Sequence, residues 1–163
     1  MAEMFLKLDQ IDGESLDHTH GGEIEITDWQ WDTINTVRWD INQGGQSTKV
    51  DVQAVFLNKT TDKASVTLYQ NCVTGKHIRH GKITCRKNDG DQKVEYFVLE
   101  MKDIMITTVH FEGSGTDQSL KEKVGLSFAE FRMDYKLQND TGNPAGSKSF
   151  EFHIQKQHGH AHG

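Results

Sequence analysis

Apolar and polar residues alternate with a period of two along most of this chain, and no other feature constrains its fold as much. Successive side chains of a strand point to opposite faces, so such alternation marks half-buried β-strands. MFLKL (4–8), VDVQAVFL (50–57), KHIRHGKITCRK (76–87), VEYFVLEMK (94–102), IMITTVHF (104–111), VGLSFAEFRMDYKL (124–137) and FEFHIQK (150–156) all read this way. So does the opening segment EIEITDWQWDTINTVRWDI (23–41). The connectors DGESLDHTHGG, NQGGQSTK, KNDGDQK, EGSGTDQSLKE and NDTGNPAGSKS supply Gly, Asn, Asp or Ser where the chain must turn.

One segment departs from the pattern. TDKASVTLYQNCVTG (61–75) carries Ala64, Leu68 and Cys72 at i, i+4 and i+8, with Thr61 or Asp62 able to cap its start and Gly75 able to end it. About eight strands and one helix result. Repeated short strands with Gly-rich turns favour a sandwich or a closed barrel, and closure removes exposed sheet edges.

Two parity switches stand out. Ile24 and Ile26 are even while Trp29, Trp31, Val37, Trp39 and Ile41 are odd; Val124, Leu126 and Phe128 are even while Phe131, Met133 and Tyr135 are odd. A β-bulge in each strand restores the inward face at the least cost. VEYFVLEM is apolar on both faces, through Val94, Tyr96 and Val98 on one and Phe97, Leu99 and Met101 on the other. It is therefore covered on both sides, by the helix or by another subunit.

The 163 residues suit one domain over 1–156, followed by a flexible His-rich tail at 157–163. Net charge is −6, and the seven acids between Asp9 and Asp28 have no Lys or Arg among them, which disfavours nucleic acid as a partner. No apolar run reaches the ~18 residues of a membrane span, so no membrane insertion is expected. MAEMFLKLDQ lacks a signal peptide's basic and apolar regions, which places synthesis in the cytoplasm. Cys72 and Cys85 read as free thiols.

Catalytic patterns fail one by one. Gly125-Leu-Ser127-Phe-Ala129 has the spacing of a nucleophile elbow but sits inside an alternating strand with no helix after it. GKHIRHGK at 75–82 lacks the spacing and the Ser or Thr of a P-loop. His18 and His20 lie among acids, and His158, His160 and His162 end the chain; they are either ligands for a divalent transition ion or parts of a solvated loop and a frayed terminus. No catalytic residue, metal site or cofactor is assigned, and an enzyme is not expected.

In their order, MFLKL followed by DGES, the EIEI…WQW strand, GKHI with KITCRK, VEYFVLEMKDIMITTV and VGLSFAEFRMDY resemble the haemolysin-coregulated protein (Hcp) family of bacterial type VI secretion, from Met4 to about Ile154. The resemblance implies a mainly β fold, a compact β-barrel of two sheets with one α-helix, assembled as a homo-hexameric ring. It implies that rings stack into a tube inside a contractile sheath on a baseplate, capped by a VgrG-type spike protein. It further implies that the lumen holds small effector proteins and that the protein leaves by type VI secretion without a signal peptide.

By position, Asn42, Gln43, Gly44, Gly45, Gln46, Ser47, Thr48 and Lys49 match the family's extended loop, which reaches the adjacent ring. Phe97, Leu99 and Met101 are either part of the seam between subunits or buried under the chain's own helix. Trp29, Trp31 and Phe128 read as core aromatics that stiffen the wall. The rival to a tube subunit is a carbohydrate-binding β-sandwich, with Trp31 or Trp39 as an aromatic platform. The acids of 9–28 could also meet Lys82, Lys87, Lys93, Lys121 and Lys123 across the stacking interface.

Overall fold

The computed structural model describes residues 2–138, 144–156 and 158–162. The elements are β1 (Ala2–Leu8), β2 (Ile24–Ile26), β3 (Asp28–Asp40), β4 (Gly44–Thr60), α1 (Ser65–Thr74), β5 (Ile78–Asp89), β6 (Gln92–Glu112), β7 (Lys121–Gln138), β8 (Pro144–His153) and β9 (His158–His162). All ladders are antiparallel, as the short connectors require.

The strands form one path rather than two sheets. Its order is β2-β1-β5-β6-β7-β4-β3, with β8 and β9 added beside β7. The expected barrel of two sheets is corrected in that respect: no ladder joins β2 to β3, so the sheet is not closed by hydrogen bonds between those two strands. The chain itself bridges the gap. β2 and β3 are consecutive, and between them Thr27 donates its N–H and Oγ–H to the Asn58 carbonyl at 2.8 and 3.1 Å.

This joint also explains the first parity switch. It is a change of partner at Thr27, from β1 to β4, and not a bulge. The second switch is a crease shared by three strands. The row Ile78↔Ile104↔Phe128 and the row Gly81↔Met101↔Phe131 both face the core, yet they lie three residues apart in every strand. Because all three strands change parity together, no register slips there, contrary to the expected bulge in β7. In β6 the crease is marked by Asp103, whose φ of 54° lies in a region short polar residues tolerate. The two strands expected at 94–102 and 104–111 are thus one. Gly81 leaves room at the crease for Ile104 and Leu8, whose Cδ1 and Cδ2 a Cβ there would meet at 2.7 Å and displace.

Inside the fold, Leu6, Ile24, Val55, Leu57, Ile83, Leu99, Met101, Ile104 and Leu126 are fully buried. Each such side chain contributes about 1.5–3 kcal/mol by leaving water. α1 packs on β6 through Leu68, with Ala64 buried and Cys72 half-buried as the spacing implies. Asp62 accepts the Ala64 N–H at 3.0 Å, and Gly75, at φ 69°, donates to the Asn71 carbonyl at 2.9 Å. Cys72 and Cys85 are free, and burial pushes the Cys85 thiol above its ordinary range.

The chain end differs from expectation. Residues 158–162 are not a frayed tail; they pair with β8 as strand β9. Their alternation of His with Gly or Ala is itself a period-two pattern, masked by the absence of apolar residues. Residues 157 and 163, and positions 139–143 of the last connector, lie outside the described residues.

Candidate assembly surfaces

Beyond Trp31 and Val55, β3 and β4 leave the barrel as a two-stranded arm. Its pairing runs from Thr33↔Val52 to Asp40↔Gly44, with one register shift between Thr36 and Val37. The expected loop at Asn42–Lys49 is therefore mostly ribbon: Asn42 and Gln43 form the tip, while Gly44 to Lys49 belong to β4. Asn42 donates its N–H to Asp40 Oδ1 at 2.9 Å, and Gln46 Nε2 donates to Gln43 Oε1 at 2.9 Å. Gly44 holds φ 76°, which suits a residue without a Cβ. At Gly45 a Cβ would meet the Trp39 ring at 2.6 Å, so the cross-strand ring lies over the glycine. The side chains of Ser47 and Thr48 lie outside the described set.

The arm is apolar as well as exposed. Ile34, Val37, Trp39 and Ile41 all face solvent, Trp39 at 78%. The sequence groups Val37, Trp39 and Ile41 with Trp29 and Trp31 on one odd-numbered face, but only Trp29 and Trp31 pack on the core, which ends before the rest.

A second apolar surface lies on α1. Val66, Tyr69 and Val73, at i, i+3 and i+7, form one exposed stripe, and the Tyr69 ring lies 6.1 Å from that of Phe111. Ser65 to Thr74 holds no charged residue. Scattered exposed hydrophobes need no explanation, but an uncharged helix with an apolar outer stripe marks an interaction surface. The same spacing rule that found Ala64, Leu68 and Cys72 would have found it.

The strand expected at the seam faces inward instead. Leu99 and Met101 are 0% exposed and belong to the protomer's own core, so they have no area to offer a neighbour. Phe97 is half-buried, its ring 5.8 Å from that of Trp29. Trp31 meets the Phe131 ring at 4.9 Å edge-on and Phe128 meets it at 6.1 Å; Phe128 is buried, while Trp29 and Trp31 are half-buried. Trp31 donates Nε1–H to the Gln53 carbonyl at 3.0 Å. Of the two tryptophans weighed as a sugar platform, Trp39 is exposed and Trp31 half-buried, and one face of Trp39 covers Gly45.

The acidic segment is folded back on its own barrel. Arg86 donates to Glu3, and to both oxygens of Asp17 at 2.9 and 2.6 Å, while Lys93 lies 3.6 Å from Glu3. Charges proposed to meet another ring are thus partly neutralised within one protomer. Each ring nitrogen of His20 has a carboxylate at 2.7 Å, from Glu23 and Glu95, and its ring stacks on Phe5 at 4.5 Å. That leaves neither nitrogen for an ion. Among the described residues, no three His, Cys, Asp or Glu side chains converge as a metal site.

The hydrogen bonds from Arg86 hold the Asp17 carboxyl far below the usual carboxylate range and lower that of Glu3. A group whose pKa is depressed by folding contributes stability that is complete above its unfolded pKa and is lost as pH falls toward the folded one. Unfolded Asp and Glu titrate near 4, so the acid loss begins at about pH 4. Urea midpoints are expected to hold from pH 7 to 5 and fall below 4, and Arg86→Met to flatten that limb. An Arg86→Met profile parallel to wild type would remove this account.

The family described as "Type VI secretion system effector, Hcp" matches residues 5–135. This chain belongs to the Hcp family. It is 35% identical over 144 residues to the protein hcp1 of Pseudomonas aeruginosa, covering 88% of this chain and 89% of that one. The crystal structure of Hcp1 from Salmonella typhimurium superposes with a TM-score of 0.78 at 29% identity, covering 98% and 99% of the two chains. A type six secretion system protein shares the fold at a TM-score of 0.91 and 21% identity, covering 98% of this chain and 100% of that one. The Hcp resemblance of the strand order is thus borne out, and the mainly β fold with one helix is the family's.

Proposed function

We propose that this chain is the tube subunit of a type VI secretion system, acting by shape and without catalysis. Six copies close into a ring, and rings stack into a tube that a contractile sheath drives outward from its baseplate behind a VgrG-type spike. Small effector proteins travel in the lumen. The chain is made in the cytoplasm and leaves with the tube.

The observation that carries this reading is the pair of unlike apolar surfaces on one rigid protomer, the β3–β4 arm and the α1 stripe. Rings that stack head to tail into an open tube need two different faces that fit each other, since the same patch cannot serve both ends. The family membership supplies the setting. Native mass spectrometry and negative-stain microscopy of the purified chain test it: the expected result is a six-copy mass and rings with a central hole. A protein that stays solitary at high concentration overturns the proposal.

A further inference from the structure

The segment that holds GKHIRHGK is the basic part of an acidic chain. From residue 63 to residue 88 the sequence carries Lys63, Lys76, Arg79, Lys82, Arg86 and Lys87 and no Asp or Glu, while the whole chain has 24 acids against 18 Lys and Arg. The fold answers Arg86 from within, with Glu3 and Asp17. It does not do the same for Lys76, Arg79 and Lys82. Among the described residues these three make no ion pair, and neither do Lys7 and Lys102 on the strands to either side of β5.

Register gathers the open amines. Leu6, Leu8, Ile83, Leu99 and Met101 are buried, so Lys7, Lys82, Glu100 and Lys102 beside them in the strands face outward. Lys7 and Lys82 are directly opposed on β1 and β5, and His80 is opposed to Lys102 on β6. Like charges directly opposed in an antiparallel pair destabilise it, so this face carries a repulsion that the protomer itself does not relieve. The same side chains enclose a pocket of about 290 Å³ whose carboxylates are Asp9 and Glu100. Asp9 lies 3.4 Å from His80 Nδ1, which leaves Glu100 as the one other acid among Lys7, Lys82 and Lys102, and it pairs with none of them. Across Asp9 a second pocket, of about 190 Å³, adds Lys76 and Arg79.

We propose that the outer face of β1, β5 and β6 around Gly81 is a docking surface for an acidic segment of a partner protein, whose carboxylates sit between Lys7, Lys82 and Lys102. A carboxylate there turns the repulsion between Lys7 and Lys82 into attraction shared by both amines. Complementary charge of this kind sets the rate of encounter and the choice of partner more than raw affinity. A second copy of this chain is a poor occupant, because its densest run of acids, 9–28, is turned inward, with Asp17 on Arg86 and Glu23 on His20. None of these lysines belongs to the arm or to the α1 stripe, so the surface is separate from both contacts proposed above.

Fluorescence anisotropy of the full chain with dye-labelled poly-L-glutamate in low-salt buffer tests this. The expected result is saturable binding that weakens as NaCl is added and falls about tenfold or more in the triple variant Lys7→Gln, Lys82→Gln and Lys102→Gln. A control that loses the same charge elsewhere, Lys63→Gln with Lys121→Gln and Lys136→Gln, is expected to bind within about twofold of wild type. The urea midpoint of the first variant should stand at or above that of wild type, since the Lys7–Lys82 repulsion is gone, and lost binding is then not lost fold. No binding of poly-L-glutamate, or an equal loss in both triple variants, overturns the surface. So does a drop in native mass confined to the first variant, which would give this face to a second copy.

Discussion

Lys59→Met is expected to cost about 3–5 kcal/mol of stability, more than any substitution on the arm. The Lys59 side chain is fully buried, and its Nζ donates to Asp62 Oδ1 and Glu122 Oε2 at 2.9 Å each and to Ser65 Oγ at 3.1 Å. Lys59 and Glu122 are direct cross-strand partners in β4 and β7, so the pair also locks the register that ties the arm-bearing strand to the barrel. Ser65 and Asp62 belong to the turn that starts α1: the Asp62 N–H donates to Ser65 Oγ at 3.0 Å. Removing the ammonium leaves the buried Glu122 carboxylate with Ser65 Oγ on Oε2 at 2.5 Å, no partner on Oε1 and no counter-charge.

The sign reverses when both charges go. Burying two ions costs desolvation that their attraction only partly returns, so Lys59→Met with Glu122→Leu is expected to recover most of the loss. In a chain of this size the single variant should lower the melting temperature by about 10 °C. Urea unfolding of both variants at one fixed protein concentration reads the effect without changing any assembly equilibrium. A loss below ~1 kcal/mol for the single variant would show that water reaches Glu122 after all.

That cluster also shows where sequence reading stops. Period two located the strands because half-buried strands must alternate, and the i, i+4, i+8 spacing located α1 because one side of it is buried. Neither rule says which strands are neighbours. The Lys59–Glu122 pair joins positions 63 residues apart, and nothing in either local sequence marks them as buried. Arg86 and Asp17 are a second case: the run of acids reads as a solvated face until the chain folds it onto β5. Parity switches were legible as switches, but their causes were not, since a change of partner, a crease and a bulge leave the same trace in one strand. The arm was read as a loop because its glycines and polar residues dominate 42–49, and Val37, Trp39 and Ile41 were legible only as one odd-numbered face with nothing to say what covers it. The Hcp resemblance supplied the loop's position, and the geometry of a paired ribbon came only from the register with β3.

Replacing residues 34–51 by an Asn-Gly turn is expected to abolish tube formation while leaving the barrel folded. Thr33 and Val52 are directly opposed, so a two-residue type I′ turn can join them without changing the pairing below. The deletion removes Ile34, Val37, Trp39 and Ile41, which are exposed in the protomer and contribute little to its core, and it spares Val52 and Trp31, which pack against that core. Unfolding free energy should therefore change by no more than about 1–2 kcal/mol. Assembly should change far more, because apolar groups exposed in the protomer give up their hydration only when another copy covers them. Trp39→Ser with Ile41→Ser is expected to do the same in part, by removing the two most exposed apolar side chains of the tip. Sedimentation velocity separates the possibilities, since rings and stacks differ in mass by whole multiples. If the shortened protein still sediments as long tubes, the arm is not the element that joins one ring to the next, and the α1 stripe becomes the surface to alter.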